Sequence, residues 1–256
     1  MNKRLIIVDI SSFIFRAFYA IRPLHTPEGT PVNAVHGVWN MLYKLMSKHR
    51  PSHIFLARDT GKSTFRHELY DEYKANRTEV PEDLIPQFSI IEELVNKMEL
   101  CNLAIETYEA DDLIGSACLH WKNDFEEILI ASGDKDLFQF VGDNIKMLDT
   151  MKDKTYMRDD VFEKMGVWPE QIVDYLSIVG DASDNIPGMK GIGAKGAAKL
   201  LEEYNDLENC IKNIDKLKGK RLVNAFENHL DDAILSKKLV TIPTDIDLGI
   251  SLEDIR

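Results

Sequence analysis

The chain has no apolar run near the ~20 residues that a membrane-crossing helix needs, and it has no internal repeat or low-complexity tract. Its three cysteines, Cys101, Cys118 and Cys210, form no CxxC pair. An odd, widely spaced set excludes a disulfide framework and a cysteine zinc site, and it fits reduced thiols in the cytoplasm. The start, Met1-Asn2-Lys3-Arg4, is basic, but Asp9 ends the apolar stretch behind it. That stretch is short of the roughly 7–15 residues of a secretory signal, so none is expected. A basic excess is missing as well: 31 Lys+Arg stand against 43 Asp+Glu, a net charge of −12. Taken alone, that balance argues against a nucleic-acid binder.

What is present is ordinary globular material. The 256 residues are 44% hydrophobic and 29% charged, enough for one large domain or two small ones, and too apolar for a disordered chain. The charge is unevenly spread. Residues 1–77 hold 12 Lys+Arg against 6 Asp+Glu, while the remainder holds 19 against 37. Salt screens exposed charges beyond about 10 Å, so local clusters matter more than the total. A basic surface facing a carboxylate cluster and a merely solvated acidic surface both fit these counts.

Leu5-Ile6-Ile7-Val8, Ile54-Phe55-Leu56-Ala57 and Ile128-Leu129-Ile130-Ala131 read as strands buried on both faces, and Lys146-Met147-Leu148 as a fourth. Helical spacing predicts helices over residues 34–48, 83–99 and 111–121. Strands alternating with helices imply an α/β domain around a parallel sheet. Beyond about residue 160 the chain reads as helices joined by glycine-rich turns, with a strand expected only at 239–242.

Three of those strands run into an aspartate: Asp9, Asp59 after Arg58, and Asp134 after Ser132-Gly133. Ligands of open α/β sheets bind outside the carboxyl ends of the strands, so the three could share one crevice. Glu109, Asp111 and Asp112 in YEADDLIG and Asp136 in SGDKDL join them. Asp181 and Asp184 in VGDASDN are three apart, and one helical turn would put both on one side. Singly, each reads equally as a solvated loop acid or a helix N-cap. As a set they do not: two carboxylates 4 Å apart repel by ~4 kcal/mol at an effective dielectric near 20, so nine together call for protonation or cations. Oxygen donors without His or Cys point to Mg²⁺ or Mn²⁺, and a two-ion site serves attack on phosphorus. Ser132 and Ser183 have no nearby His in any nucleophile motif.

Residues 62–77 read KSTFRHELYDEYKANR. If helical, they place Arg66, Tyr70, Lys74 and Arg77 on one face, with Phe65, Leu69 and Tyr73 adjoining. Such a face could grip phosphates while aromatics stack on bases. An ordinary amphipathic helix is the plainer alternative. Residues 186–200, IPGMKGIGAKGAAKL, set Gly188, Gly191 and Gly193 before a small-residue helix with Lys195 and Lys199. Such a turn aims backbone N–H groups at an anion, although a tight turn between packed helices would look the same. It is no dinucleotide fingerprint, because no strand precedes the glycines.

Together these stretches resemble a known family. LIIVDISSFIFRAFYA, DTGKSTFRHELYDEYKANR, YEADDLIG, ASGDKDLFQ, LDTM and VGDASDNIPGMKGIGAKGAAKLL are similar to the 5′-nuclease domain of bacterial DNA polymerase I, related to phage 5′-exonucleases and flap endonucleases. The resemblance implies a PIN-like α/β nuclease core with a parallel central sheet over residues 1–160. It also implies a helical arch at about 60–90 and an all-helical helix-three-turn-helix (helix-hairpin-helix) module over 161–256. It implies structure-specific cleavage of DNA 5′ ends, flaps and nicks by two or more Mg²⁺ (or Mn²⁺) ions, in replication and repair.

Matched residue by residue, the family's acidic site falls on Asp9, Asp59, Glu109, Asp111, Asp112, Asp134, Asp136, Asp181 and Asp184. Its gateway falls on Lys74 and Arg77, with Tyr73 and Arg16 beside them; Arg66 is expected as a DNA contact from the basic face of residues 62–77 alone. The hairpin falls on Gly191 and Gly193 with Lys195, where the family contacts duplex backbone, often with a monovalent cation such as K⁺. A cytoplasmic monomer without a membrane partner is expected. Arg58 departs from the family, which has an apolar residue there. Two readings stand for the chain's extent: a free-standing 5′-nuclease, and the leading portion of a polymerase I. The rival functions are a DNA-binding module with a non-catalytic metal site and a PIN-type ribonuclease.

Overall fold

The computed structural model describes residues 3–256. Six strands form one sheet: β1 (Arg4–Asp9), β2 (His53–Ala57), β3 (Cys101–Leu103), β4 (Glu127–Ala131), β5 (Ile145–Asp149) and β6 (Lys154–Tyr156), in the order β3-β2-β1-β4-β5-β6. All pairs are parallel except β5 with β6. Central β1 is in register with both neighbours, Ile7 opposite Phe55 on one side and Ile130 on the other. Successive side chains alternate faces. Ile6 and Val8 therefore enter one apolar layer, while Leu5 and Ile7 enter the other. Burial on both sides is why the strand sequence is a continuous apolar run.

The first layer is closed by α1 (Ile10–Ala20), α2 (Asn33–His49) and α4 (Ile85–Lys97). The second is closed by α5 (Ala110–His120) and by the helices that follow β6. These are α6 (Arg158–Met165), α7 (Ile172–Val179), α8 (Ala194–Tyr204), α9 (Leu207–Lys212) and α10 (Lys220–Val240). Residues 241–256 return along the first half of the chain. Pro243 O accepts from Ser116 Oγ at 3.2 Å, and Ile54 N–H donates to Ile255 O at 2.7 Å. Among the described residues no helix is long and apolar enough to cross a membrane.

The expected strands and helices form, with four differences. Strands β3 and β6 have three residues each and lack a buried apolar run, so no periodic signal marked them. Residues 239–240 end α10 instead of opening a strand. Only Phe65–Leu69 of the segment 62–77 is helical (α3), and turns and irregular backbone follow it up to the start of α4 at Ile85. Asp181 and Asp184 lie on a turn closed by the bridge Asp181–Ile186, not on a helix. That turn needs its glycines: a Cβ on Gly188 (φ +59°) would lie 2.4 Å from Gly180 N, so the two backbones meet where no side chain fits.

Candidate active site

Strand order reverses between β1 and β4, and there the loops after the strands part to leave a crevice. Asp9 ends β1 and caps α1: Ser12 N–H donates to its Oδ1 at 2.8 Å, and the Ser132 hydroxyl donates to its Oδ2 at 3.0 Å. Asp59, just past β2, accepts the Ala110 N–H at 2.8 Å, which ties it to the start of α5. Asp134 caps the 3₁₀ turn Lys135–Phe140 and accepts from Asp136 N–H at 2.9 Å. Asp9, Asp59, Glu109, Asp111, Asp134 and Asp184 line one cleft of about 420 Å³, with Arg16, Lys74, Arg77 and Phe15 among its other walls. Asp136 and Asp181 stand outside that lining but within electrostatic reach of Asp134.

Lys74 and Arg77 reach the cleft because the turn that carries them is fastened to the loop 181–185. Lys74 N–H donates to Asp184 O at 2.9 Å, Asn76 Nδ2 to Ala182 O at 2.7 Å and Asn185 Nδ2 to Glu72 O at 2.7 Å. Lys74 itself sits at φ +57°, a strained region for a side-chain-bearing residue.

The acids divide into two electrostatic groups. Lys74 Nζ lies 2.8 Å from Glu109 and 3.7 Å from Asp184, Arg77 lies 2.6 Å from Asp184, and Lys135 lies 3.0 Å from Asp181. Burial alone would raise Glu109 and Asp181. In Glu109 Lys74 and Arg66 outweigh it, and in Asp181 Ser183 and Lys135 do, so both carboxyls are held below the usual range. Asp9, Asp59, Asp111, Asp134 and Asp136 have no Lys or Arg in ion-pair range among the described residues. Burial, with Asp59 and Asp134 nearby, pushes Asp9 up to about 7. Burial, then neighbouring aspartates, lifts Asp111 and Asp136 well above the ordinary carboxylate value.

Among the described residues no three His, Cys, Asp or Glu side chains meet tightly enough to grip an ion as they stand; the carboxylates ring the cleft. The donor set nonetheless fits hard divalent cations. It is all oxygen, most of it lacks a countercharge, and Asp136 Oδ1 is buried with no hydrogen-bond partner among the described residues.

Three expected site residues turn inward. Asp112 is fully buried, and its carboxylate takes both Arg66 Nη1 (2.8 Å) and Nη2 (2.7 Å) while accepting Glu109 N–H at 2.9 Å. It is an ion-pair partner and helix cap, not a cleft acid. Arg66, 2% exposed, is buried against Asp112, Glu109 and Leu239 O and presents almost no surface. Tyr73 is buried, and its hydroxyl donates to Glu109 Oε2 at 3.1 Å, so it offers no face to a base. Arg16 does line the cleft, steadied by Thr150 Oγ1 at 2.7 Å. Ser132 and Lys135 are partners of the acids that the sequence reading does not identify, although both lie within two residues of Asp134 in SGDKDL.

A second cleft, about 830 Å³, opens where Gly191 (φ +101°) and Gly193 lead into α8. Lys195 and Lys199 line it as expected, joined by Lys216 and Lys218 from the segment before α10 and by Arg221 from its first turn. The run KLKGKR carried that signal unread. Gly188 belongs to the packed turn described above, not to this cleft.

A carboxylate crevice at the switch point of a parallel sheet, beside a basic helical module, defines a two-part α/β protein with the fold of resolvase-like domains. The family model for the 5′-3′ exonuclease N-terminal resolvase-like domain matches residues 4–166, and that for the 5′-3′ exonuclease C-terminal SAM fold matches residues 167–256. The chain belongs to the 5′-3′ exonuclease family. It is 41% identical to DNA polymerase I of Bacillus caldotenax over 259 residues, which is 100% of this chain and 30% of that one. It is 37% identical to a 5′-3′ exonuclease of Aquifex aeolicus (strain VF5), covering 99% of this chain and 86% of the other. The chain thus spans less than a third of the polymerase relative's length. A structure of T5 5′-exonuclease with divalent metal ions (zinc) bound superimposes with a TM-score of 0.80 at 24% identity, over 94% of this chain and 90% of that one. The catalytic core of Rad2 in complex with DNA substrate gives 0.60 at 17%, over 96% and 80%. At those identities the two structures show the fold.

Proposed function

We propose that the protein is a structure-specific 5′-nuclease that hydrolyses DNA phosphodiesters at 5′ ends, nicks and flaps, as a cytoplasmic monomer acting in replication and repair. One observation carries the reading: uncompensated carboxylates line a single cleft that Lys74 and Arg77 also line, paired to its Glu109 and Asp184. Asp9, Asp59, Glu109, Asp111, Asp134, Asp136, Asp181 and Asp184 would hold two or more divalent ions, Mg²⁺ or Mn²⁺, directly or through water. Ions held by those residues would supply Lewis acidity, helping to ionise a water and offsetting charge on the attacking and departing oxygens. Arg77 and Lys74 steady the scissile phosphate and oppose its growing charge. Tyr73 and Glu109 hold the Lys74 ammonium in place. Buried Ser132 keeps Asp9 oriented.

Duplex DNA lies along the basic cleft of Gly191, Gly193, Lys195 and Arg221, held by its backbone and therefore with little sequence preference. The turn of Gly191 and Gly193 would hold a monovalent cation such as K⁺, which would supply positive charge toward the DNA backbone. The 5′-3′ exonuclease relative and the DNA bound to the Rad2 core support this reading. The test is labelled DNA with blunt, nicked, flapped and RNA-primed ends, incubated with and without Mg²⁺. Cleavage from 5′ ends only with Mg²⁺ is expected. Binding without cleavage would leave a non-catalytic module, and preference for RNA would make it a ribonuclease.

A further inference from the structure

Arg66 sits where the two halves of the protein touch. Its fork grips Asp112, and its Nε donates to Leu239 O at 2.8 Å. Leu239 lies in the last turn of α10, where carbonyls lack partners within the helix, so a guanidinium from the nuclease core completes a helix of the other half. The opposite end of α10 carries Arg221 into the basic cleft. α10 is kinked at His229 (φ −131°, ψ 18°): its first arm carries Arg221, and its second arm is fixed at Leu239 by the residue that also grips Asp112. The chain of contacts from that residue is short. Asp112 Oδ2 receives Glu109 N–H, and the Glu109 carboxylate receives Lys74 and Tyr73.

We propose that Arg66 is a positioning residue that sets the register between the two clefts, and hence which phosphodiester along the DNA is cut. The inference rests on the nuclease reading above. Neither Arg66 nor Asp112 touches the cleft, so their effect reaches the reaction only through Glu109, Lys74 and the seating of α10. A loosened junction lets the bound duplex shift against the acids. Cleavage then spreads over neighbouring positions and slows, while backbone contacts in the basic cleft are kept.

The experiment uses one labelled flap substrate with the full chain, its Arg66→Lys and Asp112→Asn variants, and the double variant Arg66→Leu/Asp112→Leu. It reads product lengths, single-turnover rate, duplex affinity in chelator and urea stability. Arg66→Lys keeps the charge but loses the fork. A broadened product ladder, a rate lower by about 10–100-fold and retained affinity are expected. The apolar double variant removes both charges of the Arg66–Asp112 pair, while Glu109 keeps Lys74 and Tyr73, and so it regains stability over the single variants without regaining a single cut site. A sharp wild-type product pattern in every folded variant, with rates that track the folded fraction, would overturn the proposal. So would restored rate and position in the double variant. Should one variant not fold, the others decide by the same readouts. Wild-type protein that does not cut at all refutes the nuclease reading instead, and so the two failures are distinct.

Discussion

Asp9→Asn separates the charge of the acid cleft from its shape. Asn is as good an N-cap as Asp, its Oδ1 can still accept Ser12 N–H, and its amide can donate to Ser132. What the substitution removes is a charge that is 6% exposed and faces other acids. With its carboxyl pushed from 3.8 up to about 7, holding that charge in the fold costs about 4 kcal/mol without cations. Because the folded value is the raised one, Asp9's contribution to stability is fully present below pH 3.8. It is lost as pH rises toward 7. In chelator at pH 8 the variant should therefore be about 2–4 kcal/mol more stable than wild type by equilibrium urea unfolding. That gap should narrow as pH falls from 7 to 4. Added Mg²⁺ should stabilise wild type more than the variant, and the variant should not cleave. A variant less stable than wild type at pH 8, or a gap independent of pH, would refute the argument.

Lys74→Ala should slow single-turnover cleavage by about 100-fold or more while duplex affinity in chelator changes little; equal losses in both would make Lys74 a plain binding residue. Replacing Lys195 and Arg221 together by Ala should weaken duplex binding and reduce the slope of log affinity against log salt by about 2, with the rate at saturating DNA kept. An unchanged slope would remove the basic cleft from the interface. Gly188→Ala, which thrusts a Cβ against Gly180 N at 2.4 Å with φ at +59°, should destabilise by roughly 2 kcal/mol or more in urea unfolding. A neutral result would mean that the turn yields.

The strand-end acids were legible because they depend on local rules only. A β-branched apolar run buries itself on both faces, and the residue that ends it stands at the edge where such sheets bind ligands. Asp9, Asp59 and Asp134 follow from that without any knowledge of contacts. The hairpin glycines were legible for a similar reason, since Gly191 occupies a backbone region that side chains avoid. The segment 62–77 was misread as one helix because apolar and basic residues recur at helical spacing through a stretch that tertiary hydrogen bonds fold into turns.

What the amino-acid order determined is the set of chemical groups and the ends of the elements that carry them. What only tertiary structure decided is which group faces which. Asp111 and Asp112 are neighbours in sequence, but consecutive positions on a helix point about 100° apart. One therefore enters the cleft and the other meets a buried arginine. That arginine and the paired lysines come from segments distant in the chain, and no local rule says which acid each cation will neutralise. The charge left over in the cleft is thus a property of the assembled molecule.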